Sequence, residues 1–309
     1  MDTIVITDTN LGDGSHEKAE LEPEFIVRKV DVTTEDGVLE AAADADGLLV
    51  QWAPITERVL AGLPRLRAVV RYGIGLDNID LAAAERHGVR VSNVDDYCLD
   101  EVADHAAAAI YAHSRRLTVA ARSYADHGWT TAGIAQPFPP RLDPVGVAGF
   151  GRIGRAVAAR VAALGFPVHA WDPYVTDIPE GVTMWPTLRE LAEACHHLSL
   201  NMPATAETTG LVDAEVLAAL GPEGHLVNTA RGALVVESDL LAALEAGTLG
   251  FATLDVLSAE PPTGIAAELA AHPRVLVNPH IAYLSTESLP QLRLRAAQIL
   301  ADLLRKTAS

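Results

Sequence analysis

Apolar positions along this chain follow two periods. Short runs rich in valine, isoleucine and leucine alternate with stretches where apolar residues recur every three to four positions. That alternation is the mark of parallel strands covered by helices. The first runs predict strands over Thr3–Asp8, Phe25–Asp31, Gly47–Trp52, Arg67–Tyr72 and Arg90–Val94. Between them the spacing predicts helices over Thr34–Ala45, Thr56–Leu63 and Asn78–His87, the first capped by Thr33 or Thr34 and the last stopped by Gly88. One long helix is expected from about Asp100 to about Asp126, carried by Val102, Ala106, Ala109, Ile110 and Leu117. A loop over Trp129–Asp143 follows, marked by Gly133, Pro137, Pro139 and Pro140. Strands resume at Pro144–Gly149, Val168–Trp171, Leu198–Met202, His225–Thr229, Phe251–Val256 and Arg274–Asn278. A helix over Arg155–Leu164 lies between the first two of these, and an amphipathic helix over Thr286–Lys306 ends the series. The expectation is an α/β chain with two Rossmann-like or flavodoxin-like parallel-sheet domains.

Composition narrows the functions. The 309 residues suffice for two domains with separate cores. Although 49% of residues are apolar, no uninterrupted apolar run nears the roughly 20 residues of a membrane helix. The start, MDTIVITDTN, lacks the basic stretch and cleavage site of a signal peptide. Cys98 and Cys195 stand far apart and near no metal-ligand pattern, so they read as free thiols of a reducing compartment. A cytoplasmic protein is expected. The net charge of −18 disfavours nucleic acid. His196 and His197 are adjacent and point to opposite sides of any regular element, so no metal site is expected there. His105 and Glu101 read as a surface pair four apart on a helix.

The strongest local signal is Gly149-Phe-Gly151-Arg152-Ile153-Gly154, which follows an apolar strand and opens a helix. Gly149 permits a tight turn, Gly151 lets the backbone approach a pyrophosphate, and Gly154 lets the helix pack close to the sheet. A helix N-terminus there faces the phosphates with unpaired N–H groups. The next strand ends at Asp172, near the spacing at which a carboxylate meets a ribose diol. Asp172 would repel a 2′-phosphate, and no arginine follows it, so NAD is expected rather than NADP.

Three later segments place polar residues where strands should end: Asn228–Gly232, Asp255–Pro262 and Asn278–Ala282. Ligands of open parallel sheets bind at those ends, so Arg231, Glu260 and His280 are candidates to converge. Hydride transfer to a 2-oxo acid needs these types. A guanidinium binds carboxylate and carbonyl, histidine titrates near neutrality as proton donor, and a carboxylate orients the histidine. The plainer alternatives are a surface salt bridge for Arg231, a loop charge for Glu260 and a hydrogen-bonded loop residue for His280. Trp52, at a strand end, reads equally as core packing or as substrate contact.

These motifs together resemble the D-isomer-specific 2-hydroxyacid dehydrogenase family, in particular its C-terminal-binding-protein and phosphoglycerate dehydrogenase-like branch. The likeness covers about residues 47 to 306. It rests on RYGIGLDNID at Arg71–Asp80, DEVADH at Asp100–His105, the glycine turn, Trp171-Asp-Pro-Tyr174, Val227–Gly232, Leu254–Leu257, Ala259–Pro262 and Asn278-Pro-His280. The resemblance implies a cofactor domain, 97–285, inserted into a substrate domain made of 1–96 and 286–309. It implies that Arg231, Glu260 and His280 are catalytic. Arg71, Gly73, Ile74, Gly75 and Tyr283 would contact the substrate. Thr229, Ala230 and Asp255 would lie near the nicotinamide and its ribose, and Met202, Pro203 and Thr208 near the adenosine. It further implies a homodimer and a small anionic substrate, with an NAD-dependent oxidoreductase activity on a 2-hydroxy or 2-oxo acid. Two other readings stay open: a phosphonate or hydrated-aldehyde substrate on the same fold, and an NAD(H)-sensing corepressor-like binding protein.

Overall fold

In the computed structural model, which describes residues 1–306, the chain divides into two units, Met1–Cys98 with Leu284–Ser309 and Leu99–Tyr283. Residues 307–309, which the resemblance assigns to the substrate domain, lie outside the described residues. Among the described residues no helix is long and apolar enough to cross a membrane.

The first unit runs β1 (Thr3–Ile6), α1 (Ser15–Leu21), β2 (Ile26–Lys29), α2 (Glu35–Ala41), β3 (Gly47–Val50), α3 (Glu57–Gly62), β4 (Ala68–Arg71), α4 (Leu81–Arg86) and β5 (Arg90–Asn93). Its five strands are parallel in the order β2-β1-β3-β4-β5. β1 and β3 are buried at every residue, which is why they read as continuous apolar runs. The last helix of the chain, in the numbering below α12 (Ser288–Arg305), returns to this unit and packs beside α1, β3 and β4. There Glu17 is fully buried. It accepts from Arg293 Nε at 2.9 Å and Nη2 at 2.7 Å, and from the Tyr72 hydroxyl at 2.9 Å. Burial alone would raise the Glu17 carboxyl, but the Arg293 bond and charge, a backbone N–H and the Tyr72 hydroxyl together hold the group below its ordinary value.

The second unit runs α5 (Leu99–Ser114), α6 (Leu117–His127), β6 (Val145–Ala148), α7 (Arg152–Ala163), β7 (Val168–Trp171), β8 (Val182–Met184), α8 (Leu188–Glu193), β9 (His197–Leu200), α9 (Ala214–Leu220), β10 (His225–Asn228), α10 (Glu237–Ala246), β11 (Phe251–Leu254), α11 (Ile265–Ala271) and β12 (Val275–Val277). Seven parallel strands lie in the order β12-β11-β10-β9-β6-β7-β8. Alternate residues of β6 feed opposite cores: Val145 and Val147 join Val157 and Val161 of α7, while Ala148 joins Leu191 of α8 and Leu217 of α9. The chain leaves β6 for β7 on one side and later returns to β9 on the other. The carboxyl end of β6 is therefore the point where strand order reverses.

The helix expected over 100–126 is two helices. Arg116 takes a left-handed φ of 58° and separates α5 from α6. The apolar period runs through that residue unchanged, so the pattern does not reveal the break. The helix after the glycine turn starts at Arg152 rather than Arg155, because Gly151 itself is the N-cap. Six elements, α1, β8, α8, α9, α10 and α11, lie where no element was named from the sequence.

Candidate active site

The glycine turn is built by close approach. Gly149 has φ +85°, and a Cβ on it would stand 2.9 Å from the Asn201 carbonyl. A Cβ on Gly154 would overlap the Gly149 carbonyl oxygen, so α7 packs against the turn only without a side chain there. Gly151 faces open space, and the N-terminus of α7 opens behind it, where backbone N–H groups suit an anion. Arg152 is exposed, and Ile153 packs partly against the core. Asp172, half-buried at the end of β7, ties the turn down: Oδ2 accepts from Phe150 N at 2.8 Å. Its Oδ1 accepts from Tyr174 N at 2.9 Å and Val175 N at 3.2 Å.

Beyond the ends of β10 and β11, Arg231, Glu260 and His280 lie in one electrostatic group. His280 Nδ1 donates to Glu260 Oε2 at 2.7 Å, with side chains 28% and 34% exposed. Glu260 Oε1 accepts from Leu257 N at 3.1 Å. Burial pushes the Glu260 carboxyl up, but the His280 bond and charge, Leu257 N–H and the Arg231 charge together hold it below its ordinary value. The carboxylate thus engages Nδ1 and fixes the orientation of the ring. Arg231 donates to the Ala230 carbonyl at 2.6 Å, and its own carbonyl accepts from Asn228 Nδ2 at 2.8 Å. A Cβ on Gly232 would overlap the Leu257 carbonyl, so this glycine lets the Arg231 turn press against the loop carrying Glu260. Sequence reasoning gave Gly232 no part.

The His280 loop is held from below by Asp255. That residue is buried, and its two oxygens accept from Ile281 N and Ala282 N, both at 2.9 Å. His280 itself sits at φ +52°, a sparsely populated region for a non-glycine residue. Tyr283 packs edge-on to the His280 ring, 5.9 Å between centroids. His105 belongs here too: its Nε2 accepts from Asn278 Nδ2 at 3.0 Å. The surface pairing expected for His105 with Glu101 does not include this contact, which places His105 beneath the loop.

Two buried polar atoms at these strand ends, Thr229 Oγ1 and Asn201 Oδ1, lack a hydrogen-bond partner among the described residues. Buried polar atoms are rarely left so unless a ligand meets them, and together with the open glycine turn they fit a dinucleotide. On the β9 side, Met202 is buried beneath Gly149, and Thr208 Oγ1 donates to the Pro203 carbonyl at 2.7 Å. Ala230 packs partly on the core.

Arg71 and the 73–75 loop belong to the first unit. Arg71 Nε donates to the Gln51 carbonyl at 3.3 Å, and its guanidinium lies 6.0 Å from the Trp52 ring centroid. Trp52 is 44% exposed, so it is not core packing. Gly73 has φ +119°, and the Ile74 carbonyl accepts from Asn93 Nδ2 at 2.6 Å. Gly75 is half-buried. The adjacent His196 and His197, expected to diverge, instead share one partner. Asp143 Oδ1 meets His196 Nδ1 at 2.9 Å, and Oδ2 meets His197 Nε2 at 3.0 Å. Among the described residues no group of histidine, cysteine and carboxylate side chains is arranged to hold a metal.

The family described as D-isomer specific 2-hydroxyacid dehydrogenase, NAD binding domain, matches residues 107–282. A D-3-phosphoglycerate dehydrogenase of Mycobacterium tuberculosis is 38% identical over 85% of this chain and 50% of its own length. The chain thus spans about half the length of such curated relatives. A glycerate dehydrogenase of Methylorubrum extorquens is 32% identical over 87% of this chain and 83% of its own. Among solved structures, an NADPH-dependent glyoxylate/hydroxypyruvate reductase from Sinorhizobium meliloti, in complex with NADP and malonate, superposes with a TM-score of 0.81. It is 31% identical and covers 96% of this chain and 91% of its own.

Proposed function

The chain belongs to the D-isomer-specific 2-hydroxyacid dehydrogenase family, and from that premise we propose that it is an NAD-dependent oxidoreductase acting on a small 2-hydroxy or 2-oxo acid. The observation that carries the reading is the Glu260–His280 pair beside Arg231 at the strand ends of the sheet that bears the glycine turn. In the reduction direction Arg231 binds the substrate carboxylate and carbonyl oxygen. His280 Nε2 gives its proton to that oxygen, while Glu260 holds the ring and favours its charged form. Bound NADH supplies the hydride. Asp255 keeps the His280 loop in place, and Thr229 and Asn201 offer the partnerless oxygens to the dinucleotide. Arg71, Gly73, Ile74 and Gly75 serve the substrate, in a substrate domain of 1–96 with 286–309, and 97–285 serves the cofactor. Gly149–Gly154 hold the pyrophosphate, and Met202, Pro203 and Thr208 line the adenosine side.

A cytoplasmic homodimer completes the proposal. Both cysteines are buried thiols outside any disulfide, as in a reducing compartment. α6 has no buried residue, and Leu117, Tyr124, Trp129 and Leu142 are 57%, 60%, 97% and 57% exposed. Apolar side chains so exposed on one short stretch suit a contact between copies. The test of activity is NADH oxidation across a panel of 2-oxo acids. Turnover with at least one is expected; none, with NADH still bound, leaves the sensing role instead.

A further inference from the structure

The loops after β7 and β9 flank the glycine turn, because β6 lies between those strands. One side-chain hydrogen bond joins the loops: the Tyr174 hydroxyl donates to Glu207 Oε2 at 3.0 Å. Neighbouring strands lie about 4.8 Å apart, so two strand ends on either side of β6 are separated by roughly 10 Å. A tyrosine and a glutamate reaching toward each other cover that span. Tyr174 is 79% exposed and therefore stands off the surface rather than packing into it. Its own N–H donates to Asp172 Oδ1, which places the Glu207 carboxylate one tyrosine length from Asp172. Glu207, by bond and charge, raises the phenol above its ordinary value, and Asp172 adds to the effect.

Asp172 is also largely occupied. Oδ1 accepts two backbone N–H groups and Oδ2 one, which leaves little capacity for a ribose. Arg155, a nearby cation of α7, has its guanidinium over the Phe150 ring at 5.0 Å. It donates to the Asp177 carbonyl at 2.6 Å and lies 3.8 Å from the Asp177 carboxylate, so its charge is shared there.

We propose that Glu207, held across the strand ends by Tyr174, is a second selectivity carboxylate of the dinucleotide site. With Asp172 it makes the adenosine end anionic, so a ribose diol is accepted and a 2′-phosphate is repelled. The proposal rests on the reading of this unit as an NAD site. It is tested by fluorescence titration of NADH and NADPH into the wild-type chain, Glu207→Gln and Tyr174→Phe. Removing one carboxylate near a phosphate tightens NADPH about tenfold in Glu207→Gln at low salt, with NADH changed less than about threefold. The gain shrinks as salt screens the charge. Tyr174→Phe keeps the charge but frees the side chain, and narrows the NADPH-to-NADH ratio by only about threefold. A ratio in Glu207→Gln within about twofold of wild type, with NADH still bound, overturns the proposal alone. A wild-type chain that binds neither dinucleotide, or prefers NADPH, overturns the NAD reading along with it.

Discussion

The seven-stranded sheet carries histidines at both ends, and the two ends treat them oppositely. At the carboxyl end His280 is partly open to water and bonded to an ionised glutamate. At the amino end His197 opens β9 and His225 opens β10, paired in register. Their Nδ1 atoms are 3.1 Å apart, and His225 Nε2 meets Thr253 Oγ1 at 2.8 Å. His113, at the end of α5, stacks on His225 with centroids 4.1 Å apart. Asp143 closes the row, accepting from His197 and from Ser114 Oγ at 2.6 Å. Burial drives His225 well below its ordinary value, and the neighbouring His113 and His197 charges would push it further. His113 falls to about 3, again chiefly through burial. One residue type is thus set beside water and a carboxylate at one end, and at the other end burial holds His113 and His225 neutral.

The sharpest test separates the two ends by what each mutation changes. His280→Ala lowers turnover by about 100-fold or more while the melting temperature stays put. Full turnover would remove the wet end from the chemistry. Acid is next in size and acts on the dry end first. His113 has a folded value of about 3 against an ordinary 6.5, so the unfolded chain binds a proton that the folded chain refuses. Stability is therefore complete above pH 6.5 and falls as pH drops toward 3, by roughly 5 kcal/mol for a shift of this size. His225 acts in the same direction. Asp143, Glu17 and Glu260, held below their ordinary values, add losses only at lower pH. Urea unfolding between pH 8 and pH 4 checks this, and a flat profile would refute the neutral state of His113 and His225. Smaller again is His225→Ala, which strands Thr253 Oγ1 and His197 Nδ1 and costs about 2–3 kcal/mol. Activity per folded molecule should not change.

How much of this was legible differs between the ends for a physical reason. The glycine turn, Arg231, Glu260 and His280 lie in short strand-end segments where local backbone demands and chemistry leave a pattern of neighbouring residues. Two parallel-sheet domains were legible for the same reason, since buried strands read as β-branched runs. The histidine row was not, because residues 113, 143, 197 and 225 meet only through strand register and helix packing. Asp143 looked like the end of a loop, and His196 and His197 looked divergent. The left-handed Arg116, which ends α5 just after His113, escaped because a single backbone dihedral leaves the apolar period intact.

His105 gives the smallest effect and the finest test of the contrast, because it stands at the wet end without touching the reacting groups described. Its side chain is 22% exposed and lies 3.9 Å from Asp255 Oδ1. Its one direct bond to the loop is the one from Asn278, whose carbonyl in turn accepts from His280 N at 3.0 Å. His105 therefore acts on His280 only through the posture of the loop. His105→Ala is expected to lower kcat about threefold to tenfold, the scale of one lost supporting hydrogen bond. Since Glu260 and His280 remain paired, the pH profile should keep its shape. His105→Gln, whose carbonyl can still accept from Asn278, should recover most of the rate. A changed acid limb in His105→Ala would mean that His105 handles the proton itself. The proton transfer assigned to His280 would then be shared with His105.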